Sequence, residues 1–144
     1  MLSKKCKYAL KALEYIAKHQ EQGPILILEI ATKQQIPKKF LEVILLELKR
    51  DGILQSKMGK NGGYFLMKKP SEINVGHIIR LIDGPIAMLP CVSYKYYQPC
   101  SDCEDEATCG LHHVLAQLRE ANNKILSKVS LSEMIKREIK LKSH

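Results

Sequence analysis

Apolar residues recur at helical spacing from the start of the chain. Tyr8, Ala9, Ala12, Leu13, Ile16 and Ala17 form one stripe within residues 3–19, the rhythm of an amphipathic helix. Gly23-Pro24 breaks it. A second, shorter helix is expected over residues 28–34, with Leu28, Ile30 and Ala31 inward. Pro37 suits the first turn of a third helix, where a missing N–H costs nothing. In that helix Leu41, Ile44, Leu45 and Leu48 share one face, while Lys38, Lys39 and Glu42 occupy the other face of its first turns. Asp51-Gly52 ends it, with glycine as the cap. Residues 53–57 and 64–67 then read as two strands around the turn Gly59-Lys60-Asn61-Gly62-Gly63.

Downstream, residues 73–82 predict a fourth helix with Val75, Ile78, Ile79 and Ile82 inward, stopped by Asp83-Gly84-Pro85. Residues 85–109 carry no period. The longest helical pattern, residues 110–129, repeats Leu111, Leu118 and Ile125 every seven positions, with Leu115 and Val129 on the adjacent line and Asn122 interrupting it. That pattern suits a helix paired with its own copy, the asparagine fixing register. A short helix after Ser132 carries Met134, Ile135 and Ile139, and residues 140–144 read as a loose tail. The fold class is therefore mainly α with a small β-hairpin. Three helices followed directly by a glycine-tipped hairpin outline a winged helix-turn-helix, here with a long C-terminal dimerisation helix. Residues 1–84 form the winged unit, 85–109 a cysteine-rich loop, and 110–144 the dimerisation helix and tail.

Charge sharpens this picture. The 144 residues carry a formal net charge of +8, which favours a polyanionic partner. A membrane surface is the competing one, but no apolar run approaches the ~20 residues that span a bilayer. The basic start lacks a continuous signal-peptide core, which points to the cytoplasm. Winged modules put one helix in the major groove, its first residues at base edges and phosphates. Lys38, Lys39, Phe40 and Glu42 sit at that position, and Lys57, Lys60, Asn61 and Gly62 at the hairpin tip. Lys4, Lys5, Lys7 and Lys11 are either a solvated face or further phosphate contacts. No Ser-His-Asp arrangement and no phosphate-cradling glycine loop stands out, so no enzyme is expected.

Four of the five cysteines fall in the aperiodic segment, as Cys91-x8-Cys100-x2-Cys103-x5-Cys109, followed by x2-His112. An odd count, clustered, argues for metal or redox chemistry over a disulfide framework. Thiolates at these spacings can close around an iron–sulfur cluster of two irons and two sulfides, with an optional imidazole. They also suit tetrahedral zinc, with Cys100-x2-Cys103 as a knuckle, or a thiol switch without metal. Cys6 reads as a bystander.

The chain resembles the IscR-like regulators, also called the Rrf-two family, bacterial winged-helix transcription factors. The likeness lies in KYALKALEYIA, in LEIATKQQIPKKFLEVILLELKRDGIL, in GKNGGYFLMKKPSEI and in Cys103-x5-Cys109-x2-His112. It implies a homodimer on a palindromic operator of double-stranded DNA, with the third helix in the major groove and the wing in or near the minor groove. Relatives sense iron–sulfur status, nitric oxide, redox state or cysteine supply. Pro37, Lys39, Phe40 and Glu42 match their recognition-helix contacts; Gly59, Gly62, Gly63 and Tyr64 match the wing. Met58 stands where many relatives have arginine, leaving Lys57 or Lys60 to substitute. Cluster-binding members use three loop cysteines and a variable fourth ligand. The match is Cys91, Cys103 and Cys109, with His112 at a ligand position of some relatives. Cys100 is the extra candidate: it replaces Cys103, serves as fourth ligand, or stands by. An iron–sulfur or zinc carrier that does not act on DNA is the alternative function.

Overall fold

A computed structural model describes all residues, 1–144. Three helices build the N-terminal core: α1 (Lys4–His19), α2 (Ile27–Gln34) and α3 (Lys38–Arg50). Leu13 and Ile16 of α1, Ile30 of α2, and Leu41, Ile44, Leu45 and Leu48 of α3 are completely buried against one another. Cutting any one of these to alanine removes both transfer energy and packing, at about 2–5 kcal/mol.

The turn between α2 and α3 departs from the expected pattern in two places. Helix α2 begins one residue early, so Ile27, Ile30 and Ala31 take the inward stripe and Leu28 is 62% exposed. Pro37 is the N-cap of α3, outside its first turn, and its extended backbone offers its carbonyl to Leu41 N at 2.9 Å. Gln35 turns the chain in the left-handed region (φ 54°), and Ile36 N donates to Ala31 O at 2.9 Å. Lys11 Nζ caps the end of α2 by donating to Gln34 O at 2.7 Å. At the far end of α3, Asp51 is the cap and Gly52 follows at φ 80°.

The hairpin pairs β1 (Leu54–Lys57) with β2 (Gly63–Leu66), antiparallel, in the register Leu54↔Leu66 through Lys57↔Gly63. A third segment holds it. Ile25, between α1 and α2, exchanges two hydrogen bonds with Tyr64, at 2.9 and 2.8 Å. Gly63 makes this possible. Its φ is +142°, and a Cβ there would stand 2.8 Å from Ile25 N and closer still to the Ile25 carbonyl. Lys49 Nζ donates to Ser56 Oγ at 2.7 Å, pinning β1 to α3.

Helix α4 (Val75–Asp83) returns across α1. The loop that follows contains two 3₁₀ turns, Pro90–Val92 and Glu106–Thr108, and leads into α5 (Gly110–Leu126). This helix is shorter than the pattern predicts. Val129 lies beyond its end, is buried, and accepts a hydrogen bond from Val75 N at 2.9 Å. Asn74 couples the two helices: its Oδ1 caps α4 at His77 N (3.0 Å), and its Nδ2 donates to Leu126 O (2.9 Å). Ser130 caps α6 (Leu131–Lys142), which packs back on the core through Leu131, Met134 and Ile135. The expected loose tail is helical through Lys142.

Candidate nucleic-acid interface and metal centre

The first turns of α3 present Lys38, Lys39 and Glu42 to solvent, while Leu41, Ile44 and Leu45 of the same helix are sealed in the core. Phe40 is half-buried, edge-on to the Tyr8 ring at 5.6 Å between centroids. It fastens the start of α3 to α1. On the wing, Lys57, Lys60 and Asn61 are exposed, and Met58 is fully exposed between them. Gly62 is buried in the turn, donating to Gly59 O at 3.0 Å. The lysines of α1 divide. Lys5 pairs with Glu47 of α3 and Lys11 caps α2, so both are engaged in packing helices together; Lys4 and Lys7 are exposed.

The cysteine loop gathers its donors at the start of α5. Cys109 is the N-cap of that helix, its sulfur accepting from His112 N at 3.4 Å. Three donor atoms converge nearby: a Cys91 sulfur, a Glu106 carboxylate oxygen and a His112 ring nitrogen lie within 4.8 Å of one another. Glu106 is held on its other oxygen. Tyr97 Oη donates to Glu106 Oε1 at 2.9 Å and Cys100 N donates to the same atom at 3.4 Å. This leaves Oε2 facing His112 Nδ1 at 4.0 Å. His112 Nδ1 is buried with no hydrogen-bond partner. A nitrogen in that situation costs free energy unless something binds it.

All five cysteines are free thiols. The Cys103 thiol is raised by burial, by a hydrogen bond with Cys109 and by the neighbouring thiols. Burial also raises Cys91, with the Glu106 charge and the Cys100 and Cys109 thiols adding to it. Crowded anionic donors disfavour thiolate until a cation joins them. The loop therefore holds two groups of donors: a sulfur–oxygen–nitrogen set at Cys91, Glu106 and His112, and a pair of neighbouring thiols at Cys103 and Cys109. Sulfur and nitrogen donors suit zinc, iron and iron–sulfur clusters. Cys100 is half-buried and contributes its backbone amide to Glu106. Cys6 is apart from all of these, sealed in the core with its thiol pushed up to about 11 by burial and by Asp83.

Glu106 has no place in the cysteine pattern read from sequence. It sits in Glu106-x2-Cys109-x2-His112, a spacing that would have singled it out, had it not been one of several acidic residues in a row. The loop is tied to α5 by Arg119, whose Nη1 donates to Val92 O at 2.6 Å while its guanidinium stacks on Tyr94 at 3.9 Å.

No helix of the chain is long and apolar enough to cross a membrane. Residues 2–137 match the Rrf2 family, described as an iron-dependent transcriptional regulator. An rrf2-like HTH-type transcriptional regulator of Rhodobacter capsulatus is 42% identical over 138 residues, covering 94% of this chain and 92% of that one. The HTH-type transcriptional regulator IscR of Serratia proteamaculans is 30% identical over 134 residues, covering 93% of this chain and 78% of its own. Among solved structures, the global cysteine regulator CymR of B. subtilis superposes with a TM-score of 0.78 at 26% identity, covering 95% of this chain and 97% of its own. IscR of T. potens gives 0.75 at 25% identity, covering 96% and 88%. These relatives are regulators of transcription and not enzymes. With a winged helix-turn-helix on a three-helix core and a family match across nearly its whole length, the chain belongs to the Rrf2 family of DNA-binding transcriptional regulators.

Proposed function

We propose that the protein is a homodimeric regulator of transcription that reads a palindromic operator through α3 and the wing, acting in the cytoplasm, with its affinity set by a metal centre in the loop. One observation carries the DNA reading. Lys38, Lys39 and Glu42 are exposed at the start of a helix whose other face is locked in the core, so a rigid scaffold presents them. Lys57, Lys60 and Asn61 supply the wing contacts. The relatives named IscR and CymR support the regulatory role. A gel mobility shift with promoter DNA tests it. Lys38→Ala and Lys39→Ala each weaken binding, and log affinity falls steeply with log salt. Unchanged affinity in both variants overturns the assignment of α3.

Dimerisation through α5 is supported by its exposed seam: Leu111, Leu118 and Ile125 are 60%, 41% and 61% exposed, and no residue of this helix is buried in the monomer. Apolar residues at sevenfold spacing, left open to water, are what a paired helix covers.

The loop fits a metal centre on its own geometry: an orphaned buried nitrogen faces a positioned carboxylate and a buried thiol. Cys91, Cys103, Cys109 and His112 are the proposed ligands of an iron–sulfur cluster of two irons and two sulfides, with Cys100 and Glu106 in reserve. Zinc is the alternative on the same donors. Such a cluster supplies redox- and iron-dependent occupancy. The residues of the chain do the rest. Cys109 is at once a ligand and the cap of α5, so a ligand change there acts on the start of the dimer helix. Arg119 fixes the Cys91 segment to the same helix. A coupling of about 1–3 kcal/mol changes operator affinity roughly 5- to 150-fold.

A further inference from the structure

A cavity of about 620 Å³ opens between α4, the loop after Cys91, and α5, and no cysteine lines it. Its volume is in the range of small-molecule sites, roughly 300–1,000 Å³. Its walls come from three parts of the fold: Arg80 and His77 from α4, Lys95 with Tyr94 from the loop, and Arg119 with Asn123 from α5. The polar groups in this wall are not equally committed. Arg119 is stacked on Tyr94 and paired with Glu120 at 3.0 Å, and His77 is paired with Asp51 at 2.7 Å. Arg80 and Lys95 have no carboxylate within ion-pair distance, Lys95 Nζ lies 5.5 Å from the centre of the Tyr96 ring, and Asn123 makes no side-chain hydrogen bond. Asp51 is the one carboxylate in the wall, and its Oδ2 is already taken by His77 Nε2 at 2.7 Å.

We infer that this cavity is a binding site for a small molecule carrying carboxylate or phosphate groups, held by Arg80, Lys95 and Asn123. A guanidinium offers the fork geometry that carboxylate and phosphate accept, and an ammonium adds a point charge. The Tyr94 ring, kept in place by Arg119, provides an apolar wall beside them. The three donors come from α4, the loop and α5, so one ligand cross-links the winged unit to the segment that bears the cysteines. This site shares no residue with the metal donors or the DNA-reading face, and it stands whether or not those assignments do.

Calorimetric titration of the full-length protein as isolated tests this, with tricarballylate and inorganic phosphate as probes. Both are weak chelators. Saturable one-site binding of at least one probe is expected, weakened at least tenfold by Arg80→Ala and by Lys95→Ala and unchanged by Lys60→Ala on the wing. Binding of tricarballylate alone assigns a carboxylate ligand, and binding of phosphate alone a phosphate ligand. Circular dichroism checks the fold of each variant. Lys95 is an exposed loop residue, so Lys95→Ala and Asn123→Ala decide the matter if Arg80→Ala does not fold. No heat with either probe overturns the inference. Equal affinity in the cavity variants overturns it too, as does loss of binding in Lys60→Ala, which would move the anion to the DNA face.

Discussion

Replacing Gly63 by alanine tests how the wing is held. At φ +142° an L side chain is strained, at roughly 1–3 kcal/mol. The new Cβ would also meet the Ile25 backbone inside any normal contact, with Ile25 N at 2.8 Å. Neither partner is a flexible side chain, so the two segments must part. Parting them breaks the hydrogen bonds between Ile25 and Tyr64, at 2.9 and 2.8 Å, each worth about 0.5–1.5 kcal/mol net. Separation relieves part of the strain, so the terms do not simply add; the expected loss is about 2–4 kcal/mol. With a urea m-value of about 2 kcal/mol/M, the middle of the range for small proteins, the midpoint falls by about 1–2 M. Hydrogen exchange at the Ile25 and Tyr64 amides should quicken, and operator affinity should fall because the wing lysines lose their fixed position. A midpoint within about 0.3 M of the parent, with both amides still protected, would refute this account of the wing.

Three further outcomes are expected. Leu118→Glu puts a charge twice into the proposed α5 seam; each buried leucine is worth about 1.5–3 kcal/mol, so sedimentation should show a monomer at concentrations where the parent is a dimer, and an unchanged dimer removes α5 as the seam. Cys109→Ser keeps an oxygen to cap α5 at His112 N while removing the sulfur, so helicity should survive and any visible chromophore should vanish; a retained spectrum excludes that sulfur as a ligand. Glu138 is drawn from the ordinary 4.5 down to about 2 by a hydrogen bond with Glu14 and by Lys142 and Lys18. A depressed carboxyl stabilises fully above its ordinary pKa and loses that contribution as pH falls through the folded value. Glu14, raised by burial and by the same shared hydrogen bond, opposes it in part. Glu138→Ala should therefore cost about 0.5–1 kcal/mol near neutral pH, as a screened surface network does. The gap should close between pH 4.5 and 2, and a constant gap over that window defeats the assignment.

Burial explains which features were legible in the sequence. Helices α1 and α3 each pack one face into a dry core, so their apolar residues must follow the helical period, and Leu13, Ile16, Leu41, Ile44, Leu45 and Leu48 are where that period puts them. Helix α2 has only 8 residues, too few for the period to fix its phase, and Leu28, expected inward, lies on its open face for that reason. A heptad says which side of a helix is apolar and not where the helix stops. The end of α5 is decided by the Asn74 amide, 52 residues earlier in the chain, which takes the Leu126 carbonyl. Val129 falls past that stop and becomes a buried strut under α4. Charge is the least legible of all. Lys5 and Lys11 look like Lys4 and Lys7 in sequence, but Glu47 and the open carbonyl of Gln34 claim the first pair. Glu106 looks like Glu104 and Asp105, yet it alone of the three is turned inward, by Tyr97. A charged residue takes its role from the partner the fold brings to it. The helices and wing could therefore be outlined from local pattern, whereas the donor set at Cys91, Glu106 and His112 depends on how an aperiodic loop folds back onto the start of α5.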